Sequence, residues 1–295
     1  MITSHRLPLH PLLGRHIRLD DASRAYPVAP TASTLRAVRH QAYIGILDQG
    51  QVGSCTGNAG CACIYTAPFT VAGQRAWKYG PTEQQGALPL YEDATKVDDY
   101  PGQYPPDDTG SDGLTVAKVL KQAGIISGYQ WSFDLETSLA ALMDRPGITG
   151  IPWYQSMFQV GSDGLLTVDT RSGLAGGHEL CVDEYVPADD PRTSVGPLVG
   201  GPNSWGPAWG DGGRWYMRTA DWWTLRKQQG DVTFFVPATQ PAPTPAPTPV
   251  VANAADTALW AKVAAWTAEH HVGGNAAAAA AVRDWARQLG LTTTT

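Results

Sequence analysis

The feature that most constrains this chain is a tight glycine loop that leads directly into a run of small residues. The loop reads DQGQVGSC and ends at Cys55. Gly50 and Gly53 allow a sharp turn and a close backbone approach. Small side chains follow Cys55 until Pro68 interrupts them. The pattern predicts a buried central helix that begins at Cys55, with Ser54 as a suitable N-cap residue.

This position would give Cys55 unusual chemistry. Backbone N–H groups at a helix start are unpaired and the helix dipole is positive there, so the thiolate is favoured over the thiol. A thiolate is the nucleophile that acyl transfer requires. The alternative is that Cys55 is simply a small core residue, because free cysteines are often buried.

Composition limits the function classes that fit the chain. The 295 residues carry a net charge of −6, which argues against a nucleic-acid partner held mainly by phosphate contacts. No apolar run is long enough for a membrane span. The stretch Met1–His16 lacks the apolar core of a classical signal peptide. A cytoplasmic or virion-associated protein is therefore expected.

The four cysteines do not form a recognisable framework. Three of them lie within nine positions of one another, which is not typical of a disulfide scaffold. The spacing of Cys61 and Cys63 is too close for a zinc site by itself. We therefore expect no metal, no cofactor, and either a reducing compartment or a protein released without a classical leader.

Hydrophobic periodicity divides the main part of the chain into two halves. Helices are predicted over residues 88–97, 114–123 and 134–143. Short strands are predicted over residues 150–154, 165–168, 179–186, 198–200, 213–217 and 232–236. Helices followed by strands indicate an α+β fold rather than an alternating α/β fold. This domain is expected to span residues 35–236, preceded by an irregular arm, residues 1–34, that lies on it.

The C-terminal part has a different composition. Residues 237–250 read PATQPAPTPAPTPV, which predicts a polyproline II linker of roughly 40 Å at ~3.1 Å per residue. Residues 251–295 contain two helical runs, over 256–270 and 275–290, which predict a helical hairpin. A hairpin of this size is too small to be stable alone, so it would dock on the main domain, self-associate or bind a protein partner. A weakly helical tail is the alternative.

Three further residues could complete a site around Cys55. His178 lies in AGGHELCVDEY, where glycines precede a strand, and Asn203 opens NSWGPAWGDGG. An amide can accept the imidazole N–H and set its tautomer, while Trp205 would screen that bond from water. The side-chain amide of Gln49 and the backbone N–H of Cys55 could together form an oxyanion hole.

These three motifs, in this order, resemble the papain-like (C1) cysteine peptidases. His178 lies 123 positions after Cys55 and Asn203 lies 148 positions after it, against roughly 130–150 in the papain signature. The resemblance covers about Leu35 to Val236. It implies a two-lobe fold with Cys55 on the central helix of a helical lobe. The β-rich lobe would carry His178 and Asn203, and a peptide or protein substrate would lie between the lobes.

The same resemblance implies a substrate-binding set. The segment Ser111, Asp112 and Gly113 falls where the family pairs with the substrate backbone, with Gly113 as the matching glycine. Gly177 falls on the opposite wall beside the nucleophile, and Trp205 belongs to the same set.

The chain also departs from the family pattern. Val52 replaces the usual cysteine, so that disulfide is missing, and Thr56 replaces an aromatic residue. This pattern is typical of bacterial and phage members. No long helical prosegment precedes the domain, so residues 1–30 would cover the cleft only in part. Asp183 and Glu184 replace residues that are usually apolar or glycine, which questions the packing of that strand.

We expect a cysteine endopeptidase that uses Cys55, His178, Asn203 and Gln49. One alternative is a catalytically silent papain-like module in a virion or surface assembly, which the proline-linked hairpin motivates. A second alternative is a hydrolase of peptidoglycan peptides with the same chemistry. A bacteriophage origin would fit the hairpin as a tether to a virion component.

Overall fold

The computed structural model describes residues 2–8, 10, 12–29, 34–70, 79 and 84–238 of the chain. The linker was predicted over residues 237–250, but Pro237 belongs to the last strand. The rest of the linker from residue 239 and the hairpin over residues 251–295 lie outside the described residues, so those predictions stay predictions. None of the helices within the described ranges is long and apolar enough to cross a membrane.

Most helices fall in the first half of the described chain. They are α1 (Asp21–Arg24), α2 (Cys55–Ile64), α3 (Gln84–Thr95), α4 (Gly113–Gln122), α5 (Leu135–Leu142) and α6 (Thr219–Lys227). Short 3₁₀ turns cover Gln155–Phe158 and Thr170–Ser172. Capping explains two of the starts, because Asp112 and Asp134 each accept a hydrogen bond from the backbone N–H three residues later.

Within the described residues, the strands form three antiparallel sheets. They are β1 (Ile2–His5), β2 (Ile17–Asp20), β3 (Val38–Arg39), β4 (Ile126–Trp131), β5 (Gly147–Tyr154), β6 (Leu174–Val182), β7 (Glu184–Val186), β8 (Leu198–Pro202), β9 (Arg214–Arg218) and β10 (Asp231–Pro237). The sheet orders are β1-β2, β4-β10-β5-β6 and β3-β7-β8-β9. The predicted α+β class is confirmed.

The sheet β4-β10-β5-β6 separates two hydrophobic cores. Side chains alternate between the faces of a strand. Ile148, Cys181 and Phe235 therefore pack with α2, α3 and α4. Their sequence neighbours Val182 and Phe234 pack into the second core, toward the other sheet. Because both faces of this sheet are buried, its strands do not alternate between apolar and polar residues as the strands of a solvent-facing sheet do.

Helix α2 is buried along its whole length, as its small residues predict. A Cβ atom on Gly57 would lie 2.8 Å from the Cβ of Tyr91 on α3, and one on Gly60 would lie 2.6 Å from Val116 on α4. The glycines therefore let α3 and α4 approach α2 closely. The helix ends at Ile64, earlier than Pro68. Ser54 occupies the N-cap position, but its side chain makes no capping hydrogen bond.

Some boundaries differ from the sequence expectation. The predicted strand over residues 165–168 is wrong, because only an isolated bridge joins Leu165 to Tyr216. Strand β4 and helix α6 were not predicted. Strand β4 contains a glycine among polar residues, and α6 has threonine and two tryptophans where strong helix formers would be expected. The arm, expected to be irregular, contains the hairpin β1-β2 and the short helix α1.

The two unusual acids near the end of β6 are paired rather than disruptive. Asp183 and Glu184 are fully buried, and Arg214 on β9 donates to both carboxylates, at 2.5 Å and 2.9 Å. Arg192 donates to the other oxygen of Glu184 at 2.7 Å. Buried charges are tolerated when they are paired and hydrogen-bonded in this way.

Candidate active site

Cys55 is the first residue of α2 and is completely buried. The loop before it is held by Gly53, whose N–H donates to Asp108 at 2.7 Å. A hydrogen bond from the Glu179 backbone acts on the Cys55 sulfur and favours the thiolate. Because Glu179 directly follows His178 on β6, the fold brings the start of α2 against the His178 segment.

His178 and Asn203 form the hydrogen bond that the sequence predicts. The Nε2 atom of His178 lies 2.8 Å from Oδ1 of Asn203. The same oxygen accepts the backbone N–H of Ser204 at 2.8 Å, which holds the amide in place. The Nδ1 atom of His178 is buried and has no hydrogen-bond partner among the residues that the structure describes. It is therefore free to exchange a proton with a nucleophile.

Aromatic rings enclose this imidazole. Trp205 stacks on His178 with ring centroids 4.9 Å apart and an angle of 29° between the planes. Trp153, at the end of β5, meets the same imidazole edge-on at 4.9 Å. Trp205 also meets Trp153 at 5.2 Å. The two indoles exclude water from the His178–Asn203 bond, which strengthens it.

Gln49 is tied to the Asn203 loop. Its backbone N–H donates to Ser204 O at 2.8 Å, and its Oε1 accepts the Ser204 hydroxyl at 2.6 Å. Its Nε2 donates to Val52 O at 2.9 Å. An amide nitrogen carries two hydrogens, so this bond leaves one for a second acceptor. Gln49 is thus oriented by fixed partners beside the loop that leads to Cys55.

Residues 12–16 of the arm run between two walls, and we call them the cleft segment. On one wall, Ser111 O accepts the His16 N–H at 2.7 Å, and Ser111 N–H donates to Gly14 O at 2.9 Å. On the other wall, Gly177 O accepts the Arg15 N–H at 3.0 Å. The bridge between Arg15 and Ser111 is parallel. The backbone of the cleft segment around Arg15 is therefore held from both sides, in the manner of an added strand.

The cleft segment also covers the candidate catalytic residues. Trp205 Nε1 donates to Leu12 O at 3.0 Å. Leu13 is fully buried within the core that includes Trp153. A Cβ atom on Gly53, two residues before Cys55, would lie 2.8 Å from Leu13 O. The arm thus covers the start of α2 and the indole that stacks on His178.

The predicted substrate-binding residues fall at different places. Ser111 and Gly177 pair with the cleft segment through their backbones, whereas Asp112 caps α4 and Gly113 begins that helix. A Cβ atom on Gly113 would lie 2.6 Å from Oε1 of Glu179, so this glycine leaves space for that carboxyl group. The assignment of these residues to substrate stays a prediction.

Burial under the cleft segment controls the protonation of Cys55 and His178. Desolvation raises the pKa of the Cys55 thiol to about 12, and this outweighs the hydrogen bond from Glu179. Desolvation also lowers the pKa of His178 to about 4, against the opposing effect of the bond to Asn203. Both groups are uncharged at neutral pH in this arrangement. The thiolate expected from the helix start is therefore not favoured while the arm is in place.

Four residues near the site escaped the sequence analysis: Arg15, Trp153, Glu179 and Asp231. Arg15 reaches from the cleft segment to Asp231, and 216 positions separate the two residues in the chain. Of these four residues, only Glu179 had a signal in the sequence, because it is an acidic residue directly after His178 in the predicted histidine motif. Among the described residues, no group of three His, Cys, Asp or Glu side chains is arranged to hold a metal ion.

Comparison with solved structures identifies the fold. The chain is similar to xylellain, a cysteine protease from Xylella fastidiosa, with a TM-score of 0.58 and 18% identity over 80% of this chain and 98% of that one. It is also similar to procathepsin B S9 from Trypanosoma congolense, with a TM-score of 0.54 and 13% identity over 77% and 87% of the two chains. No protein-family model and no curated protein matches the sequence. The fold is that of the papain-like cysteine proteases.

Proposed function

We propose that this protein is a cysteine endopeptidase that hydrolyses peptide bonds through a thioacyl-enzyme. The observation that carries the proposal is the buried hydrogen bond between His178 and Asn203, on a strand whose Glu179 backbone reaches a cysteine at a helix start. Asn203 holds the imidazole through Nε2, so Nδ1 is the atom that exchanges a proton with Cys55.

In this mechanism the Cys55 thiol transfers its proton to His178 and the sulfur attacks the substrate carbonyl carbon. The carbonyl oxygen becomes an oxyanion, which the Cys55 N–H and the Gln49 amide stabilise. His178 then protonates the leaving amine as the C–N bond breaks. Water, deprotonated by His178, attacks the thioester and releases the acid and the thiol.

The buried state of Cys55 adds a condition to this function. The cleft segment must leave before a peptide can bind between Ser111 and Gly177, because both backbones are already paired. When water and substrate enter, the desolvation that keeps the thiol and imidazole neutral is reduced. Displacement of the arm would then both open the cleft and favour the reactive ion pair.

A second candidate function is a catalytically silent module, and the covered cleft favours it. A permanently seated arm would leave Cys55 inaccessible and the fold available for binding alone. Cleavage of peptidoglycan peptides with the same residues is a substrate variant of the first proposal. Virion association, a cytoplasmic location and a partner for the hairpin rest on sequence features alone.

The test uses the full chain with a panel of fluorogenic peptides, purified peptidoglycan and an epoxide probe for reactive cysteines. We expect hydrolysis and labelling at a low rate in the wild type and in Cys61→Ala, a control on the same helix, and at a higher rate in Arg15→Ala, which removes the contact of the arm with Asp231. Cys55→Ala should lose both while keeping its thermal unfolding midpoint. If Cys55→Ala retains turnover, or if neither the wild type nor Arg15→Ala is labelled or active, the endopeptidase proposal is wrong.

A further inference from the structure

The side chain of Arg15 enters a closed acidic pocket beside the candidate catalytic residues. Its Nη2 atom donates to Oδ2 of Asp231 at 2.5 Å and to the backbone oxygen of Gln229 at 2.9 Å. Its Nε lies 4.0 Å from Oε2 of Glu179. The Arg15 and Glu179 side chains are both completely buried. A guanidinium so far from water is held by the acids around it.

The pocket is a consequence of strand register. Asp231 on β10 pairs with Gly150 on β5, and Gly150 pairs with Glu179 on β6. Residues that are directly opposite one another in antiparallel strands have their side chains on the same face. Two acids therefore flank a glycine in one row across the sheet. Since adjacent strands lie about 4.8 Å apart, the acids are separated by roughly 10 Å at the backbone.

The glycine in the middle of this row makes the space for the guanidinium. A Cβ atom on Gly150 would collide with Nε of Arg15 and would lie 2.8 Å from both Asp231 Oδ2 and Glu179 Oε2. Any other residue at this position would fill the gap. The pocket is thus shaped for a long, narrow side chain that carries a positive charge at its end.

The pocket has unused acceptors, although Nε and Nη1 of Arg15 also lack a hydrogen-bond partner among the described residues. Both carboxyl oxygens of Glu179 and Oδ1 of Asp231 are buried without a hydrogen-bond partner in the described part of the chain. Gln229 has a φ of 66°, a left-handed conformation that is uncommon outside glycine, and its carbonyl oxygen points to the guanidinium. Strained backbone and unsatisfied buried acceptors are costly, and they recur at ligand sites.

Backbone pairing connects the pocket to peptide binding. Arg15 donates its backbone N–H to Gly177, and its two chain neighbours, Gly14 and His16, are hydrogen-bonded to Ser111. An extended peptide that takes the place of the cleft segment would meet the same two walls, and one of its side chains would face the same pocket. We propose that this pocket selects an arginine, or less strongly a lysine, of the substrate, and that Arg15 occupies it as an internal competitor. The proposal rests on the endopeptidase function proposed above.

The first test measures hydrolysis by the full chain carrying Arg15→Ala, which vacates the pocket. Fluorogenic peptides would carry arginine, its neutral isostere citrulline, or norleucine at each of the three positions before the scissile bond. At one of these three positions, the arginine peptide should be cleaved with a kcat/KM about 10- to 100-fold higher than the citrulline peptide, as expected for charge-assisted hydrogen bonds. Adding Asp231→Asn or Glu179→Gln should remove most of this preference while norleucine peptides are still cleaved. Asp221→Asn, which removes a partly buried acid paired with Arg218 away from the pocket, is the matched control and should keep the preference.

A second measurement does not depend on turnover. The full chain with Cys55→Ala and Arg15→Ala would be titrated with a fluorescein-labelled octapeptide of residues 10–17, HPLLGRHI, which contains one arginine. We expect this peptide to bind at least about tenfold more tightly than its citrulline version. Equal dissociation constants for the two peptides would overturn the pocket proposal. Binding that favours arginine, together with no cleavage by the Arg15→Ala chain that keeps Cys55, would support the pocket and contradict only the endopeptidase function.

Discussion

The Nε2 atom of His178 lies 2.8 Å from Oδ1 of Asn203, and Trp205 stacks on the same imidazole at 4.9 Å. The hydrogen bond sets which ring nitrogen is left for proton exchange. The indole keeps water away from that bond. This arrangement makes Asn203 a positioning residue whose effect should be visible in catalysis rather than in substrate affinity.

Asn203→Ala should lower kcat by about 10- to 100-fold, the loss expected for one hydrogen bond to a group that becomes charged. KM should change little, because Asn203 acts through His178. Peptide hydrolysis by the full chain measures both constants. Asn203→Asp keeps the acceptor oxygen and should recover part of the activity. Unchanged kcat in Asn203→Ala would show that the imidazole needs no such support.

Gly177→Ala should loosen the arm. The new methyl group would collide with Arg15 O and would lie 2.6 Å from Leu7 Cδ1. Overpacking of this kind costs about 1–3 kcal/mol, so amide exchange in the cleft segment should rise about tenfold or more. Hydrogen exchange with mass spectrometry on residues 12–16 measures the change.

Gly45→Ala is the control for this prediction, because nothing lies within 4 Å of the added Cβ. It should leave exchange in the cleft segment at the wild-type rate. Equal exchange in Gly177→Ala and the wild type would mean that the arm can shift without losing its contacts.

Arg214→Met should destabilise the protein by about 3–5 kcal/mol, because it leaves the buried Asp183 and Glu184 without their main partner. Arg218→Met, on the same strand, removes only an exposed pair with Asp221 and should cost about 0–1 kcal/mol. Urea unfolding at neutral pH compares the two variants. Similar losses in both would show that the buried cluster contributes no more than a surface ion pair.

His178 should make stability depend on pH. Its pKa is about 4 in the folded chain, below its ordinary value of 6.5, because burial disfavours the charged ring. The unfolded chain therefore binds the proton more readily, and this contribution, present above pH 6.5, is lost as the pH falls toward 4. The full loss is about 3 kcal/mol.

The comparison of wild type with His178→Gln isolates this effect. Burial raises the pKa of Asp112 to about 6, and that of Asp98 likewise to about 6, so these acids have the opposite pH dependence, and they are present in both proteins. The free energy of unfolding, measured in urea at pH 4, 5, 6 and 7.5, should show a difference between the two proteins that shrinks with acidification. A difference that stays constant across this range would contradict the burial of a neutral imidazole.

Local patterns were sufficient to predict the α+β class, the central helix and the partnership of His178 with Asn203. Small residues after Cys55 predict a buried helix because only they allow α3 and α4 to approach so closely. The motifs around His178 and Asn203 contain glycines or tryptophans in a pattern that rarely arises by chance, which made both motifs recognisable. Their order in the chain gave the resemblance to papain-like peptidases, and the fold comparison agrees with it.

The contents of the cleft could not be read from the sequence, because they depend on contacts between distant residues. Arg15 lies in a proline- and histidine-rich segment without periodicity, and its meeting with Asp231 follows only from the register of β10, β5 and β6. The protonation of Cys55 was decided in the same way. A helix start favours a thiolate, but burial beneath the cleft segment outweighs that local effect, and burial is a property of the assembled fold.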